Sequence, residues 1–401
     1  MSTKPIGLPL PSEAQYRAYM DAPAQYRQYL LQMLCQYPEL FPKDMDHGFT
    51  FHDASMSVKQ ALLIRRIKVK ATRAVFALHP SFVMPSMIAR TDEVEKALYL
   101  RQWGGPFDAL AYVCGRDAMF WYRAWLAFGR PSLLSTTVKN PQQVPTDLVA
   151  DEQVTWVAGQ EVDVPTTVGG GCFLGVSVVA AADTAALETG YGEFAQEARA
   201  LVPTYQPRSV CTDGWHATRE AWRRLLPKIT LVLCCLHSVL KIKDRCTGAL
   251  RHHVLAKAWW AYQAPTKRHC AQRLRRLAEW TPTYLRGAVA TLVLKRCPHR
   301  TDFTPAYDCP QAHRTSKAVD RLLNYQDRVL YAMRSCHATT ASARLAVRAM
   351  ALQWNFHPYG MRLRRDQPSR VSPFHDLNGF QYHPNWLHNL LIASSLGGLR
   401  L

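Results

Sequence analysis

Paired Cys-x-x-Cys spacings are absent from this 401-residue chain, although it contains 11 cysteines. Scattered thiols of this kind argue against a disulfide framework and fit buried free cysteines in a reducing compartment. They offer no four-ligand cluster for a structural zinc ion. No stretch approaches twenty uninterrupted apolar residues, so a membrane-spanning helix is not expected. The first twenty residues lack a basic start followed by an apolar segment, so no secretion leader is expected there. Acidic residues are scarce: 30 Asp and Glu stand against 49 Lys and Arg, a net charge of +19 with histidine neutral.

With 48% hydrophobic residues the chain can fold and bury a core, which excludes a disordered tail. An excess of +19 repels itself unless a polyanion offsets it, and a nucleic-acid backbone is the commonest such partner. An anionic membrane surface is the second candidate. It would need its cations along an amphipathic surface helix, and no membrane association is expected.

Residues 1–55 read as an N-terminal extension with short helices, rich in proline and tyrosine. A helix is expected from Met56 to Ala77, with Val58, Leu62, Val69 and Ala74 on its period and Lys59, Arg65, Arg66, Lys68, Lys70 and Arg73 elsewhere. Helical pieces follow near Thr91–Gln102, Pro106–Tyr112 and Arg116–Phe128, separated by Gly104-Gly105-Pro106 and Cys114-Gly115. Residues 56–145 could thus hold a helix-turn-helix whose last helix enters a groove, with Arg116, Arg123 and Arg130 on phosphates. The alternative is a packed helical subdomain with Phe120, Trp121, Trp125 and Phe128 in its core.

The pattern changes after Pro145. Leu148–Trp156, Glu161–Thr167 and Cys172–Ala180 read as strands joined by tight turns at Ala158-Gly159-Gln160 and Gly169-Gly170-Gly171. Glu188–Leu201 reads as a helix, Arg208–Thr212 as a strand, Trp215–Leu225 as a helix, and Ile229–Cys235 as a buried strand. This order matches an α/β, ribonuclease-H-like mixed sheet. There Asp151 on the first strand and Asp213 at the end of the fourth become neighbours, at the strand ends where open sheets bind ligands.

Residues 214–314 hold 19 Lys or Arg against 5 Asp or Glu, so most of the excess charge lies in this quarter. Long helical patterns run from Leu236 to Trp280, with Lys241, Lys243, Lys267, Arg268, Arg273, Arg275 and Arg276 among Trp259, Trp260 and Trp280. The two readings are a helical insertion lining a DNA channel and a solvated helix face over a tryptophan core. A helix from about Ser316 to Met333 then supplies Asp320 near its amino end, where the helix field favours a carboxylate. Its apolar side is Val319, Leu322, Leu323, Val329 and Leu330, and Asp327, two turns on, is the local competitor. Glu152 points to the opposite strand face, and Glu220 reads as an early-helix surface residue.

The segments Val149-Ala-Asp-Glu152, Thr166-Thr-Val-Gly-Gly-Gly-Cys-Phe-Leu-Gly175, Thr212-Asp-Gly-Trp-His-Ala-Thr218, Cys234-Cys-Leu-His237 and Arg314-Thr-Ser-Lys-Ala-Val-Asp320 together resemble the DDE-type transposases of bacterial insertion sequences. The likeness spans roughly residues 50–400. It implies a catalytic core at 146–237 and 313–360, an all-helical basic insertion at 238–312, a helical N-terminal DNA-binding region and a C-terminal arm at 361–401. It also implies a cytoplasmic, nucleoid-associated enzyme acting on double-stranded DNA, both element ends and target, as a homodimer or larger assembly. By the resemblance Asp151, Asp213 and Asp320 are the catalytic, metal-holding carboxylates, expected to hold two Mg2+ ions across the scissile phosphate, with Mn2+ able to substitute. The family usually has Glu in the third place, and Asp320 reaches one methylene less far. Cys234-x-x-His237 resembles a signature some relatives carry after the fifth strand; a packed thiol beside a hydrogen-bonded histidine explains it equally. The rivals to a transposase are a nuclease of the same fold without strand transfer and a catalytically impaired DNA-binding relic.

Overall fold

Two β-sheets organise the chain, in a computed structural model that describes residues 5–10, 12–85, 87–297, 300–333 and 339–399. The first is N-terminal and comprises β1 (Ile6–Leu8), β2 (Phe49–Ser57), β3 (Leu62–Val69) and β4 (Val75–Pro80) in the order β1-β4-β3-β2. Helices α1 (Glu13–Asp21) and α2 (Pro23–Gln36) precede β2 and bring Tyr16 and Tyr26 into the core.

The helix expected over Met56–Ala77 is therefore wrong, and the expected boundary at residue 55 cuts through β2. Alternation is the reason: Leu62 and Ile64 are buried while Leu63 between them is exposed. The inward phase then shifts by one residue, with Arg65 and Arg66 lying between the buried pairs Leu62, Ile64 and Ile67, Val69; opposite this point β2 carries an extra residue between Phe51 and Ala54. That shift hid the period of two, and Val58, placed on the helical stripe, is 88% exposed.

Three helices follow, α3 (Thr91–Gln102), α4 (Phe107–Cys114) and α5 (Ala118–Leu126), then the short α6 (Leu133–Thr137). Asp117 caps α5 by accepting from the Phe120 amide. Trp121, Ala124 and Trp125 are buried, and Trp125 Nε1 donates to Gln353 Oε1 at 2.8 Å. This helix is a core element rather than a free groove reader. Arg116 is engaged by Glu93 at 2.5 Å, whereas Arg123 and Arg130 are exposed.

The second sheet holds β5 (Asp147–Val157), β6 (Gln160–Gly169), β7 (Cys172–Val176), β8 (Ser209–Thr212) and β9 (Thr230–Leu233). Its order is β7-β6-β5-β8-β9; β5, β6 and β7 are antiparallel neighbours, while β8 and β9 run parallel to β5. Ala158 and Gly159, with φ of 50° and 80°, form the two-residue turn between β5 and β6. Helices α7 (Thr184–Leu201) and α8 (His216–Leu225) cover one face, with Tyr191 and Trp222 rings 4.9 Å apart. The expected order of three strands, helix, strand, helix, strand is what the chain adopts, with ends moved by a few residues.

After β9 the chain leaves the sheet as α9 (Cys235–Arg245), α10 (Leu250–Tyr262), α11 (Lys267–Tyr284), α12 (Gly287–Arg296), α13 (Arg300–Phe303) and α14 (Pro305–Asp308). These helices bury a cluster of their own, including Val254, Ala258, Leu274, Leu277 and Phe303. The chain returns as α15 (Lys317–Ala332), which packs on β5 and β6, and α16 (Thr340–Phe356), which packs on β7 and α5.

The remainder is α17 (Met361–Asp366), α18 (Pro373–Asn378) and α19 (Trp386–Ala393). Of the two readings of the C-terminal arm, holding DNA or a partner and folding back, this segment folds back: Leu387, Leu390 and Ile392 are buried, and the Leu396 amide donates to the Pro5 carbonyl at 2.9 Å. Arg370 is held by Asp376 at 2.6 Å, leaving Arg362 and Arg365 exposed on α17. Among the described residues, no helix is long and apolar enough to cross a membrane.

Candidate metal centre

Strand register brings the acids together. β5 pairs in parallel with β8 up to Val149 opposite Cys211. Two further places along each chain lie Asp151 and Asp213, so both carboxylates leave the same end of the sheet. Asp213 folds back at once: its carboxylate accepts from the Trp215 amide at 2.7 Å, and Gly214 takes φ +88°. A Cβ at that glycine would stand 2.1 Å from Leu233 Cδ1, so a side chain there would displace the end of β9.

The third acid arrives through a clamp around Cys234. Its sulfur caps α9 by accepting from the His237 amide at 3.5 Å, and also accepts from the Ser316 amide at 3.1 Å. The Cys235 amide donates to the Arg314 carbonyl at 3.0 Å, tying the exit of the insertion to its entrance. α15 starts from this clamp, buries Val319, Leu322, Val329 and Leu330, and turns Asp320 toward Asp151. Ligand atoms of Asp151, His237 and Asp320 all lie within 4.8 Å of one another.

Charge on this cluster is costly. Burial first, then the neighbouring Asp213 and Asp320 carboxylates, raises the Asp151 carboxyl to about 6, although nearby His237 opposes the shift. His237 Nε2 lies 3.9 Å from Asp151 Oδ2. Its imidazole is pushed up to about 9, chiefly by the hydrogen-bonded Cys234 sulfur and then by the two aspartates. The Cys234 thiol is lowered by the hydrogen bond from Cys211, with His237 and Ser316 adding to the effect. The expectation of a packed thiol beside a hydrogen-bonded histidine matches this geometry, and the histidine also belongs to the three-ligand group.

Asp213 is outside that three-ligand group and accepts from Lys241 Nζ at 3.3 Å. Asp327 is engaged by the Gln153 amide on β5, away from the cluster. Glu152 faces the other side of the sheet, as its place next to Asp151 requires, and accepts from Thr218 Oγ1 at 2.6 Å and Tyr191 OH at 2.7 Å. Burial raises its carboxyl to about 7 despite both hydroxyls. Glu220 pairs with Arg223 at 2.5 Å on α8.

The expected nucleic-acid contacts divide into two groups. Lys267 pairs with Asp308 at 2.6 Å, Arg275 lies 3.7 Å from Glu279, and Arg273 stacks 4.1 Å from the Trp260 ring centre. Lys243, Arg268 and Arg276 are exposed without a carboxylate in ion-pair range among the described residues. The partners that sequence reasoning missed are Cys211, Ser316 and the pairing of Lys241 with Asp213. The first two carry no local signal, because only the fold brings them to Cys234. Lys241 could have been found from its position one turn after His237 on a helix beginning at the strand end.

Two carboxylates and an imidazole at this separation form a candidate metal-binding group. The oxygen donors suit a hard divalent cation, and the burial and carboxylate repulsion that together raise Asp151 are what such a cation would offset. No protein-family model matches the sequence, and a comparison with curated proteins returns no match.

Proposed function

We propose that this protein is a metal-dependent DNA transposase with a ribonuclease-H-like core. The observation that carries the reading is the convergence of Asp151 and Asp320, from a central strand and a helix beyond the insertion, to within 4.8 Å, with Asp213 beside them. The strand order β7-β6-β5-β8-β9, with the first three strands antiparallel, supports the fold assignment. The cationic insertion adjoining the same sheet end supports a polyanionic substrate.

Asp151 and Asp320 would hold Mg2+, or Mn2+ in its place, and Asp213 would be available beside them once Lys241 paired with a DNA phosphate. A divalent ion bound there supplies Lewis-acid polarisation of the phosphodiester and lowers the pKa of an attacking water. The chain's own groups do the rest. Lys241 Nζ, 3.3 Å from Asp213, sits where it can pair with the scissile strand. The Cys234–Ser316 clamp keeps α15, and hence Asp320, in register with β5. In cleavage, water forms a bond to phosphorus while the bond to the 3′ oxygen breaks. In joining, that 3′ hydroxyl attacks a target phosphodiester, exchanging one P–O bond for another without an external energy source.

The test incubates the protein with paired element-end duplexes, Mg2+ and a plasmid target. Wild-type protein should give joined products. Asp151→Asn, Asp213→Asn and Asp320→Asn should each abolish cleavage and joining while retaining DNA binding. Cleaved but unjoined ends would assign a nuclease, DNA binding without turnover a relic. Cutting by Asp213→Asn at the wild-type rate would overturn the assignment.

A further inference from the structure

Beside Asp320, α15 forms one wall of a cleft of about 540 Å³. Lys317, Arg321 and Arg328 project along this wall, spaced by four and seven residues and so on one face of the helix. Neither Lys317 nor Arg321 has a carboxylate in ion-pair range among the described residues. Arginines elsewhere near the sheet are matched: Arg348 with Glu197 at 2.6 Å, Arg219 with Asp302 at 3.0 Å. Concave, unmatched cations next to a carboxylate cluster call for an anion from outside.

The facing wall is aromatic. Arg321 lies 5.4 Å from the Trp354 ring centre and 5.9 Å from that of Tyr359; Arg328 lies 6.0 Å from that of Trp103. His357 also lines the cleft, and its Nε2 is buried with no hydrogen-bond partner, while Nδ1 engages the Pro358 carbonyl at 2.8 Å. A second hollow shares Trp103, Arg321 and Gly360 and extends the opening to Arg362 on α17. The volume lies in the range of sites that enclose a small organic ligand. Flat rings with guanidinium groups provide what a base and its phosphate need: a stacking surface and a bidentate donor.

We propose that this cleft binds an unpaired nucleotide of a DNA strand, its base on the Trp103–Tyr359 wall and its phosphate on Lys317 and Arg321. The proposal rests on the nucleic-acid reading above and extends it, because the neighbouring phosphodiester of that strand would lie at Asp320. Stacking of the base on an aromatic ring can offset much of the cost of unpairing one nucleotide.

Binding is measured without metal, by fluorescence anisotropy, for the full chain with three probes: a labelled 5′-phosphorylated tetrathymidylate, its abasic counterpart and labelled thymidine monophosphate. The tetranucleotide should bind at least about tenfold tighter than the abasic strand. Trp103→Ala should remove most of that preference; the residue is 54% exposed, so the fold should tolerate the change. Lys317→Ala with Arg321→Ala should weaken both strands by about tenfold or more. Equal binding of the normal and abasic strands would overturn the proposal, as would unchanged binding by the double variant. Thymidine monophosphate binding as tightly as the tetranucleotide would overturn the strand assignment in favour of a free nucleotide. Asp151→Asn keeps the base preference if the cleft works as proposed. Loss of the transposase reading would then leave this result standing, and failure here would leave end joining untouched.

Discussion

In the central sheet the ionisable groups are partly buried and held by named partners, whereas on the insertion they stand mostly in solvent. Asp151 and Glu152 are raised chiefly by burial, and His237 is raised chiefly by its hydrogen bond with the Cys234 sulfur. Lys243, Arg268 and Arg276 lie exposed on helices whose apolar residues form a separate core. Even the pair Arg275–Glu279 leaves its side chains 69% and 66% exposed, so its contribution to stability is small. Groups in the sheet act through distance, so an ångström matters; those on the insertion act through a summed field, and no single one is decisive.

The largest effect that separates the two regions is a core truncation confined to one of them. Leu274 on α11 is 1% exposed, and Leu274→Ala should cost about 2–5 kcal/mol. Amide hydrogen exchange should accelerate in α10 and α11 while β5 stays protected. Equal acceleration in β5 would show that the insertion and the sheet open as one unit.

A second contrast is pH. His357, 3% exposed, is held down to about 4 by burial, with the nearby Arg364 charge adding to the effect. The unfolded chain takes up that proton near 6.5, so the stabilising neutral state is complete above about 6.5 and is lost as pH falls toward 4. The loss amounts to about 3 kcal/mol. In urea unfolding, the stability gap between wild type and His357→Gln should shrink by that amount between pH 7 and pH 4. A gap that does not change would show that His357 is not kept neutral by its surroundings.

The smallest effect on folding belongs to the exposed cations. Arg268→Ala with Arg276→Ala should alter unfolding free energy by no more than about 0.5 kcal/mol. The slope of log binding constant against log salt should nevertheless fall by about 2 if both meet phosphates. An unchanged slope would show that these two residues do not meet phosphates.

Legibility from sequence followed the range of the interactions involved. The elements from β5 to β9 could be read because hairpin turns such as Ala158-Gly159 and the apolar run at Thr230–Leu233 are local signals. The region around Met56–Ala77 was misread because the buried set shifts by one residue within β3, from Leu62 and Ile64 to Ile67 and Val69, leaving residues that also fit a helical stripe. Trp121 and Trp125 announced a core helix, but only Gln353 on α16 shows which core it enters. Asp320 could be told from Asp327 only as a better-placed acid, until Gln153 on β5 was seen to occupy the latter.

By itself, the order of residues determined the succession of strands and helices in the middle of the chain, the acids at the strand ends and the concentration of positive charge beyond them. Each follows from periodicity, turn chemistry or composition within a few residues. The tertiary structure decided which acids meet, that Cys234 joins both ends of the insertion, that Lys241 balances Asp213, and that the C-terminal segment returns to the N-terminal sheet. Those outcomes depend on contacts between residues far apart in the chain, where strand register and helix packing, not local preference, set the distances.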